Sequence, residues 1–236
     1  TFSSHLSYSQ VNHKQFSNYI RLATEYNDAA NDSSLIYIQK AKEFNFNELS
    51  AIEKVKLIEA EGGYYDIVRG EFKKAIPLYL KALQIAEKNN LNYAKNLYHS
   101  LGVVFHLTDS YKKAEHYYSK ALILAKKEKD STIIGKCLSN LATVSSSMGK
   151  FKKAEFLFIE SLKCIKKFSV KKTTYSNIGN LKIREKKYSE ALIYLNKIVQ
   201  INPETGIGGD ENDYSFLLDA KKEAKNYTGI DTLLPE

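Results

Sequence analysis

The chain has 236 residues, of which 43% are hydrophobic, so it is long enough to bury a substantial core. Its net charge of +8 comes mainly from lysine pairs spread along the sequence, which favours a solvated surface over the single basic stripe of a nucleic-acid binder. We therefore expect no nucleic-acid contact. No apolar run approaches the ~18 residues of a membrane-spanning helix, so we also expect no membrane contact from this chain.

The N-terminal region predicts an atypical first helical hairpin. Residues 1–10 show no clear period, and we expect them to be extended. Residues 13–31 favour a helix, with Phe16 among its core positions, and residues 34–44 favour a second helix after a short capped turn. The predicted hairpin spans residues 13–44.

The next segment opens with a strong helix start. In Ser50-x-x-Glu53, each side chain is suited to bond a backbone N–H of the opening turn, an arrangement called a capping box. Gly70 suits the turn that follows this helix. Pro77 lies inside the partner helix, where a proline costs about 3 kcal/mol or more. The apolar spacing continues through it, however, and predicts a hairpin over residues 50–88.

Residues 95–128 carry the clearest hairpin pattern. Leu101 and Phe105 stand one helical turn apart, which places them on one face of the first helix. Gly102 in the first helix and Ala114 in the second carry almost no side chain. We therefore expect the two helix backbones to approach each other closely at these positions.

Two more hairpins and a capping helix complete the predicted chain. The hairpins span residues 132–167 and 172–200. The last one stops before Asn202-Pro203, because a residue that precedes proline is pushed out of the helical conformation. Residues 204–212 are rich in glycine and predict a loop, and residues 213–226 predict an amphipathic helix that covers the open end.

A recurring pattern joins the last four hairpins. An alanine followed four residues later by a bulky side chain recurs at steps of 39, 40 and 37 residues. Small residues in the preceding helices recur at the same steps. Two markers that move together predict a structural repeat, and this period predicts a solenoid. The alanines are Ala75, Ala114, Ala154 and Ala191, and the small residues are Gly63, Gly102, Ala142 and Gly179.

These residues resemble the tetratricopeptide repeat (TPR) family over roughly residues 50–204. The TPR signature has an aromatic residue, Leu-Gly and a second aromatic on the first helix, and then Ala-x-x-x-aromatic on the second. Tyr98, Leu101-Gly102 and Phe105 match the first part, and Ala114-x-x-x-Tyr118 matches the second. The departures are Gly62 in place of the leucine, and Asp66, Ser145 and Lys182 in place of the second aromatic.

The resemblance implies an all-α fold, a right-handed TPR superhelix (α-solenoid) of about five hairpins with a C-terminal capping helix, in one domain over residues 1–236. In such arrays the first helix of each hairpin (helix A) lines a concave groove, and the second (helix B) lies outside. An asparagine in the groove offers one acceptor and two donors to a peptide backbone. The earliest clear repeat contributes Glu61, Tyr64 and Ile67. The expected ligand-binding residues are Asn96, His99, Ser100, His106, Lys136, Ser139, Asn140, Thr143, Asn177, Asn180 and Arg184.

The same resemblance implies a non-enzymatic interaction or sensor domain that holds a peptide or protein segment in its groove. The chain resembles the TPR regions of bacterial sensor histidine kinases and helix-turn-helix regulators. A periplasmic or exported location is therefore the expectation, with a cytoplasmic one as the alternative. The alternative function is a structural or oligomerisation scaffold that acts through helix B or end surfaces. The sequence leaves the oligomeric state open.

The sequence offers no site for catalysis, a cofactor or a metal. It contains no P-loop, no dinucleotide-binding glycine motif and no zinc-protease motif. His99 and His106 share a helix face, but metal ligation needs closer spacing and further ligands. Cys137 and Cys164 fall on neighbouring ends of one predicted hairpin. They are either two buried free thiols or a disulfide, and the sequence leaves both alternatives open.

The first residue is Thr1 rather than methionine. We therefore expect a processed chain, or a piece of a longer one. A signal peptide, a membrane anchor or a further domain outside the given residues stays open.

Overall fold

The computed structural model describes residues 2–166, 168–199, 217–218 and 220–222, and these residues contain helices and turns but no strand. The all-α prediction is confirmed. The helices are α1 (Phe2–Asp28), α2 (Ser34–Lys42), α3 (Ala51–Gly63), α4 (Phe72–Lys88), α5 (Ala94–Leu107), α6 (Tyr111–Lys127), α7 (Ser131–Ser147), α8 (Phe151–Cys164), α9 (Phe168–Arg184) and α10 (Tyr188–Asn196), with a short 3₁₀-helix at Phe46–Glu48 and a π-helix at Tyr64–Val68.

The chain divides into two compact units, Thr1–Ala121 and Leu122–Glu236, and we describe each by itself as unit 1 and unit 2. Unit 1 contains α1 to α5 and most of α6. Unit 2 contains the rest of α6 and α7 to α10.

The first helix of unit 1 is longer than the sequence pattern indicates. α1 begins at Phe2, so the expectation of an extended segment is wrong for residues 2–10. No glycine or proline occurs between Phe2 and Asp28 to interrupt the helix. Farther along α1, Phe16 and Ile20 are buried in a cluster with residues of α2 and α3, which anchors the first hairpin.

The capping box at the start of α3 is present as predicted. The Ser50 backbone N–H donates to Glu53 Oε2 at 2.9 Å, and the Glu53 N–H donates to Ser50 Oγ at 3.4 Å. These bonds satisfy two backbone groups that the first turn of a helix otherwise leaves without partners. They fix the point at which the second hairpin begins.

Close helix contact in unit 1 depends on glycine. A Cβ atom added to Gly102 of α5 would lie 2.5 Å from the ring of Tyr118 in α6, so the predicted close approach is confirmed. In the preceding repeat the corresponding contact involves Gly62, whose added Cβ would lie 2.9 Å from the Tyr79 ring. That is one residue before Gly63, the position that the repeat spacing indicates.

We expect Gly102→Ala to lower the free energy of unfolding of unit 1 by about 1–3 kcal/mol, because the new methyl group overlaps a ring that is itself buried. Urea unfolding followed by circular dichroism measures the change. Ser100→Ala on the same helix is the matched control, since Ser100 is only half-buried. Equal stability of the two variants would contradict the close packing.

One repeat position buries four different side chains in the two units. Asp66 and Phe105 occupy it in unit 1, and Ser145 and Lys182 occupy it in unit 2. All four are buried. The polar members have hydrogen-bond partners: Ser145 Oγ, for example, donates to the Leu141 carbonyl at 2.8 Å. The three departures from the aromatic pattern are therefore core residues.

The core of unit 2 follows the same hairpin logic. Ala142 of α7 and Phe158 of α8 belong to one buried cluster, and Gly179 of α9 lies against Leu195 of α10. Ser161 Oγ of α8 donates to the Gly135 carbonyl of α7 at 2.7 Å. Each contact places a small or backbone group of helix A against a side chain of helix B.

The predicted capping helix is described only in part. Residues 217–218 and 220–222 are helical, and Leu217 and Ala220 are buried in a cluster with Ala191 and Leu195 of α10. These contacts cover the apolar side of the last hairpin. The rest of the predicted helix, the preceding loop and Pro203 lie outside the described residues.

Candidate functional site

A groove in unit 1 runs along α1, α3 and the start of α5, which are the first helices of three successive hairpins. Its larger cavity has a volume of about 550 Å³. Phe16, Ile20 and Ile52 form an apolar floor, and polar side chains surround it. The remaining lining residues are Ser17, Arg21, Thr24, Glu25, Ser50, Glu53, Lys56 and Tyr93. We call this surface the α1–α3–α5 groove.

A second cavity of about 540 Å³ continues the groove toward α5. It shares Ile52, Lys56 and Tyr93 with the first cavity, so the two are contiguous. Two lysines and three asparagines line it, and no acidic residue does. The lining residues outside the shared set are Asn90, Leu91, Asn92, Lys95 and Asn96.

The charges around the larger cavity are mostly paired. Arg21 Nη1 donates to Glu25 Oε1 at 2.7 Å along α1. His13 Nδ1 lies 2.7 Å from Glu53 Oε1, which joins α1 to α3. The rim therefore offers both signs of charge above the apolar floor.

Glu59 lies on α3 beside the groove and is bonded to its wall. The Tyr93 hydroxyl donates a 2.6 Å hydrogen bond to Glu59 Oε2. Burial raises the pKa of Glu59 from its ordinary 4.5 to about 7, against the opposing effects of Tyr93 and of the Lys56 ammonium. Because Tyr93 lines both cavities, this pair ties α3 to the start of α5 at the centre of the groove.

A second carboxyl with a raised pKa, that of Asp66, lies just after the end of α3. The Tyr79 hydroxyl donates to Asp66 Oδ2 at 3.2 Å, and Asp66 is 8% exposed. Burial raises the pKa of Asp66 to about 6. Asp66 lies in the π-helix, an element that often occurs at functional sites.

We expect the stability of unit 1 to fall as the pH rises from about 5 to about 7.5, because the folded protein there retains protons on Glu59 and Asp66 that the unfolded chain has lost, which together outweigh the opposite effect of the lowered His106 pKa. Glu59→Gln should flatten this dependence by roughly 1–2 kcal/mol, since the amide imitates the protonated acid. Thermal unfolding of both proteins at several pH values measures the difference. Parallel pH profiles would show that Glu59 titrates normally.

The expected ligand-binding residues of unit 1 do not all lie in the α1–α3–α5 groove. Asn96 lines the second cavity, as the groove hypothesis requires. His99 and Ser100 are half-buried, and the His99 ring centroid lies 5.6 Å from that of Tyr118. His106 is half-buried near the end of α5, and burial lowers its pKa. These three residues do not line the cavities of the groove.

The remaining expected residues lie on α7 and α9 of unit 2. Ser139 is buried, and its hydroxyl accepts a 3.4 Å bond from Thr174 of α9, so it joins the two helices. Arg184 Nη1 donates to Ser146 Oγ at 2.8 Å. Asn140, Asn177 and Thr143 are half-buried, and Lys136 and Asn180 are exposed.

Sequence reasoning missed the residues that form most of the groove. It assigned the second hairpin's contribution to Glu61, Tyr64 and Ile67, but Tyr64 is buried and none of the three lines either cavity. The lining positions lie nearer the start of α3, at Ile52 and Lys56. On α1 no family motif marks the groove positions.

The repeat spacing could have identified Glu59 as an unusual residue. Glu59 precedes Tyr98 by 39 residues, so an acid occupies the position of the first signature aromatic. An acid at a position that other repeats use for packing is a candidate for a buried, perturbed carboxyl. Asp66 stands in the same relation to Phe105, so both acids could have been selected together.

The cysteines and the possible metal ligands provide no further candidate site. Cys137 and Cys164 are both free thiols, and burial raises the pKa of Cys137 to about 12. Within the described ranges, no three His, Cys, Asp or Glu side chains are placed to hold a metal ion. Across those ranges, no helix has both the length and the apolar character that crossing a bilayer requires.

Comparison with known families supports the repeat assignment. Two family models, each described as tetratricopeptide repeat, match residues 93–167 and residues 173–205. No curated protein sequence matches the chain.

Several solved structures share the fold at low sequence identity. BtubC from P. vanneervenii aligns with a TM-score of 0.63 and 18% identity, over 90% of this chain and 85% of that one. NprR in complex with its cognate peptide NprX aligns with a TM-score of 0.64 and 16% identity, over 92% and 68%. A STAND protein with a tetratricopeptide repeat sensor, PH0952 from Pyrococcus horikoshii, aligns with a TM-score of 0.64 and 16% identity. The alignment covers 90% of this chain and 36% of that one.

These likenesses concern the fold, and they agree with the helical hairpins and the small-against-large packing described above. The repeat spacing, the two family matches and the shared fold together show that residues 93–167 and 173–205 form tetratricopeptide repeats.

Proposed function

We propose that this chain is a non-enzymatic interaction domain that binds an extended peptide or protein segment in the α1–α3–α5 groove of unit 1. The observation that supports this most directly is the pair of contiguous cavities with an apolar floor and a mixed polar rim. Sites of this kind bury an apolar side chain of the ligand and orient it through a few polar groups.

The polar groups of the second cavity suit a peptide backbone. Three asparagine side chains line it, and each amide offers one acceptor and two donors, as a peptide bond requires. Lys56 stands where the two cavities meet. An extended segment that crosses both cavities would contact apolar, amide and cationic groups in turn. The fold neighbour NprR was solved with a bound peptide, which is consistent with this use of the fold.

Thr24→Trp should weaken binding of peptides selected on the wild-type protein at least about tenfold, because the indole fills the larger cavity. Fluorescence anisotropy with the labelled peptides measures the affinity. Gln39→Trp is the matched control, since Gln39 is exposed on α2 and lines neither cavity. Equal loss in both variants, or no loss in either, would contradict binding in this groove.

We further propose that unit 2 contributes recognition through the amide side chains of Asn140 and Asn177. They occupy the same repeat position on α7 and α9, and both are half-buried. The double variant Asn140→Ala, Asn177→Ala should weaken partner binding while helicity and melting temperature stay nearly unchanged. Circular dichroism measures the helicity and the melting temperature, and the anisotropy assay measures the affinity. Unchanged affinity would limit recognition to unit 1.

A scaffold role is the second candidate, because unit 2 exposes large apolar side chains on its second helices. Phe156 of α8 is 62% exposed and Ile193 of α10 is 60% exposed. The two residues share one repeat position, so the feature recurs on helix B. Analytical ultracentrifugation of the wild type and of Phe156→Ser, Ile193→Ser separates the candidates: a concentration-dependent dimer that the variant abolishes would favour the scaffold.

The biological setting that we propose is signal reception in a bacterial protein. Two of the fold neighbours are described as a quorum sensor and as a protein with a repeat sensor. A groove that accepts an extended segment would let such a domain report the presence of a peptide. An exported location remains part of this proposal.

A further inference from the structure

The wall between the two groove cavities contains an acid and a base that share one helix. Glu59 and Lys56 stand three residues apart on α3, and the Lys56 charge acts on the Glu59 carboxyl. Tyr93, which lines both cavities, bonds to Glu59 at 2.6 Å. The charge of this carboxyl therefore lies directly behind the part of the groove where a ligand would cross.

The charge of the Glu59 carboxyl affects the electrostatic potential of the second cavity. Its lining contains Lys56 and Lys95 and no acid. Ionised Glu59 partly offsets the Lys56 charge from behind the wall. When Glu59 is protonated, this offset disappears, and the cavity presents a stronger positive potential to a ligand.

The surrounding groups leave Glu59 as the central titrating group of this wall. From α4 the Tyr79 hydroxyl faces it and also bonds to Asp66, and from the start of α5 Tyr93 faces it. Across the larger cavity, α1 presents the Arg21–Glu25 pair and His13 bonded to Glu53. Those carboxylates have cationic or imidazole partners within 2.7 Å, whereas Glu59 is bonded to a neutral phenol.

We propose that the second cavity takes an acidic side chain of the bound segment, and that binding there is coupled to proton uptake by Glu59. This inference rests on the proposed groove function and adds to it the chemistry of the ligand and its regulation by pH. By linkage, an acidic ligand strengthens proton binding by Glu59 to the same degree that the proton strengthens ligand binding. The groove would therefore hold acidic segments more tightly in mildly acidic conditions.

Hexaglutamate labelled with tetramethylrhodamine is a suitable probe, because the charges of the peptide and of the label stay nearly constant between pH 6 and pH 8. We expect it to bind the wild-type protein about three- to tenfold more tightly at pH 6 than at pH 8. Glu59→Gln should bind with the tighter affinity at both pH values, and Lys56→Met should bind weakly at both. Labelled hexaglutamine should show no pH dependence.

Matched variants separate this coupling from general charge effects. Glu160→Gln removes one negative charge from an exposed pair on α8 and leaves the groove unchanged, so it should keep the wild-type pH dependence. Lys88→Met, exposed at the end of α4, should keep the wild-type affinity. His13 is unchanged in Glu59→Gln, so a pH dependence that persists in that variant would belong to another group and would overturn the proposal.

Two further outcomes would also overturn it. If hexaglutamate fails to bind at either pH while library-selected peptides bind and respond to Thr24→Trp, the groove function holds and the acidic subsite is wrong. If Glu59→Gln and the wild type bind hexaglutamate equally at both pH values, the cavity takes acids without proton coupling. Carboxyl ¹³C titration of Glu59 with and without the probe gives an independent readout: the titration midpoint should rise when hexaglutamate binds.

Discussion

Lys182→Ala is expected to destabilise unit 2 by about 2–4 kcal/mol, the first of the two largest effects that the structure predicts. The Lys182 side chain is 2% exposed, and its Nζ lies 2.6 Å from Glu155 and 2.9 Å from Glu190. Burial alone would lower the pKa of Lys182, but the hydrogen bonds to these two carboxylates outweigh it and raise the pKa. Removing the lysine leaves a void and unbalanced acids.

A second substitution distinguishes the loss of charge from the loss of volume. Lys182→Met keeps most of the side-chain volume, and both Glu155 and Glu190 reach solvent. We therefore expect it to cost less than Lys182→Ala in urea unfolding. Equal and small losses in both variants, below about 0.5 kcal/mol, would show that the buried ion cluster contributes little to unit 2.

Tyr118→Ala is expected to destabilise unit 1 by about 3–5 kcal/mol, because it deletes one of the largest fully buried side chains. The ring fills the space above Gly102, so the two residues should be energetically coupled. In the Tyr118→Ala background, Gly102→Ala should lose most of its cost, since the overlapping ring is gone. A double-mutant cycle in urea unfolding measures this coupling.

The control for this cycle lies on the same helix. His116 of α6 is exposed, so His116→Ala should change stability by less than about 0.5 kcal/mol and should not couple to Gly102→Ala. Additive costs for Gly102→Ala and Tyr118→Ala would contradict the close packing of glycine against the tyrosine ring.

The repeat spacing predicted the packing of the hairpins because that packing is local. Gly102 and Tyr118 are only 16 positions apart, and the contact needs only one small and one large residue on facing helices. Residue types and helical periodicity contain this information directly. The capping box at Ser50 was equally accessible, since it involves neighbours three residues apart.

The polar core residues could not be derived in the same way. Lys182 departs from the aromatic pattern, and its partners Glu155 and Glu190 come from two other helices. The repeat alignment marks the position of Lys182 as a core position, but it does not identify the carboxylates that the lysine contacts. Glu59 lies on α3 and Tyr93 lies in the turn before α5, so their bond follows from how the second hairpin meets the third.

Of the expected ligand-binding residues, Asn96 alone lines a cavity of the α1–α3–α5 groove. Ligand binding by the whole expected set stays a prediction. The α1 contribution was missed because the first hairpin lacks the family signature, and the α3 contribution was placed too near the end of that helix. Cavities arise between elements, so their positions depend on packing angles that single-helix patterns do not specify.

The most direct test of groove recognition is to map a selected peptide onto the protein by amide chemical-shift perturbation. Peptides chosen from a random library on the wild-type chain would be titrated into ¹⁵N-labelled protein. The proposed function predicts that the largest shifts in unit 1 fall on α1, on the first half of α3 and on residues 90–96. Shifts concentrated instead on the exposed faces of α4, α8 and α10 would contradict groove binding and favour the scaffold role.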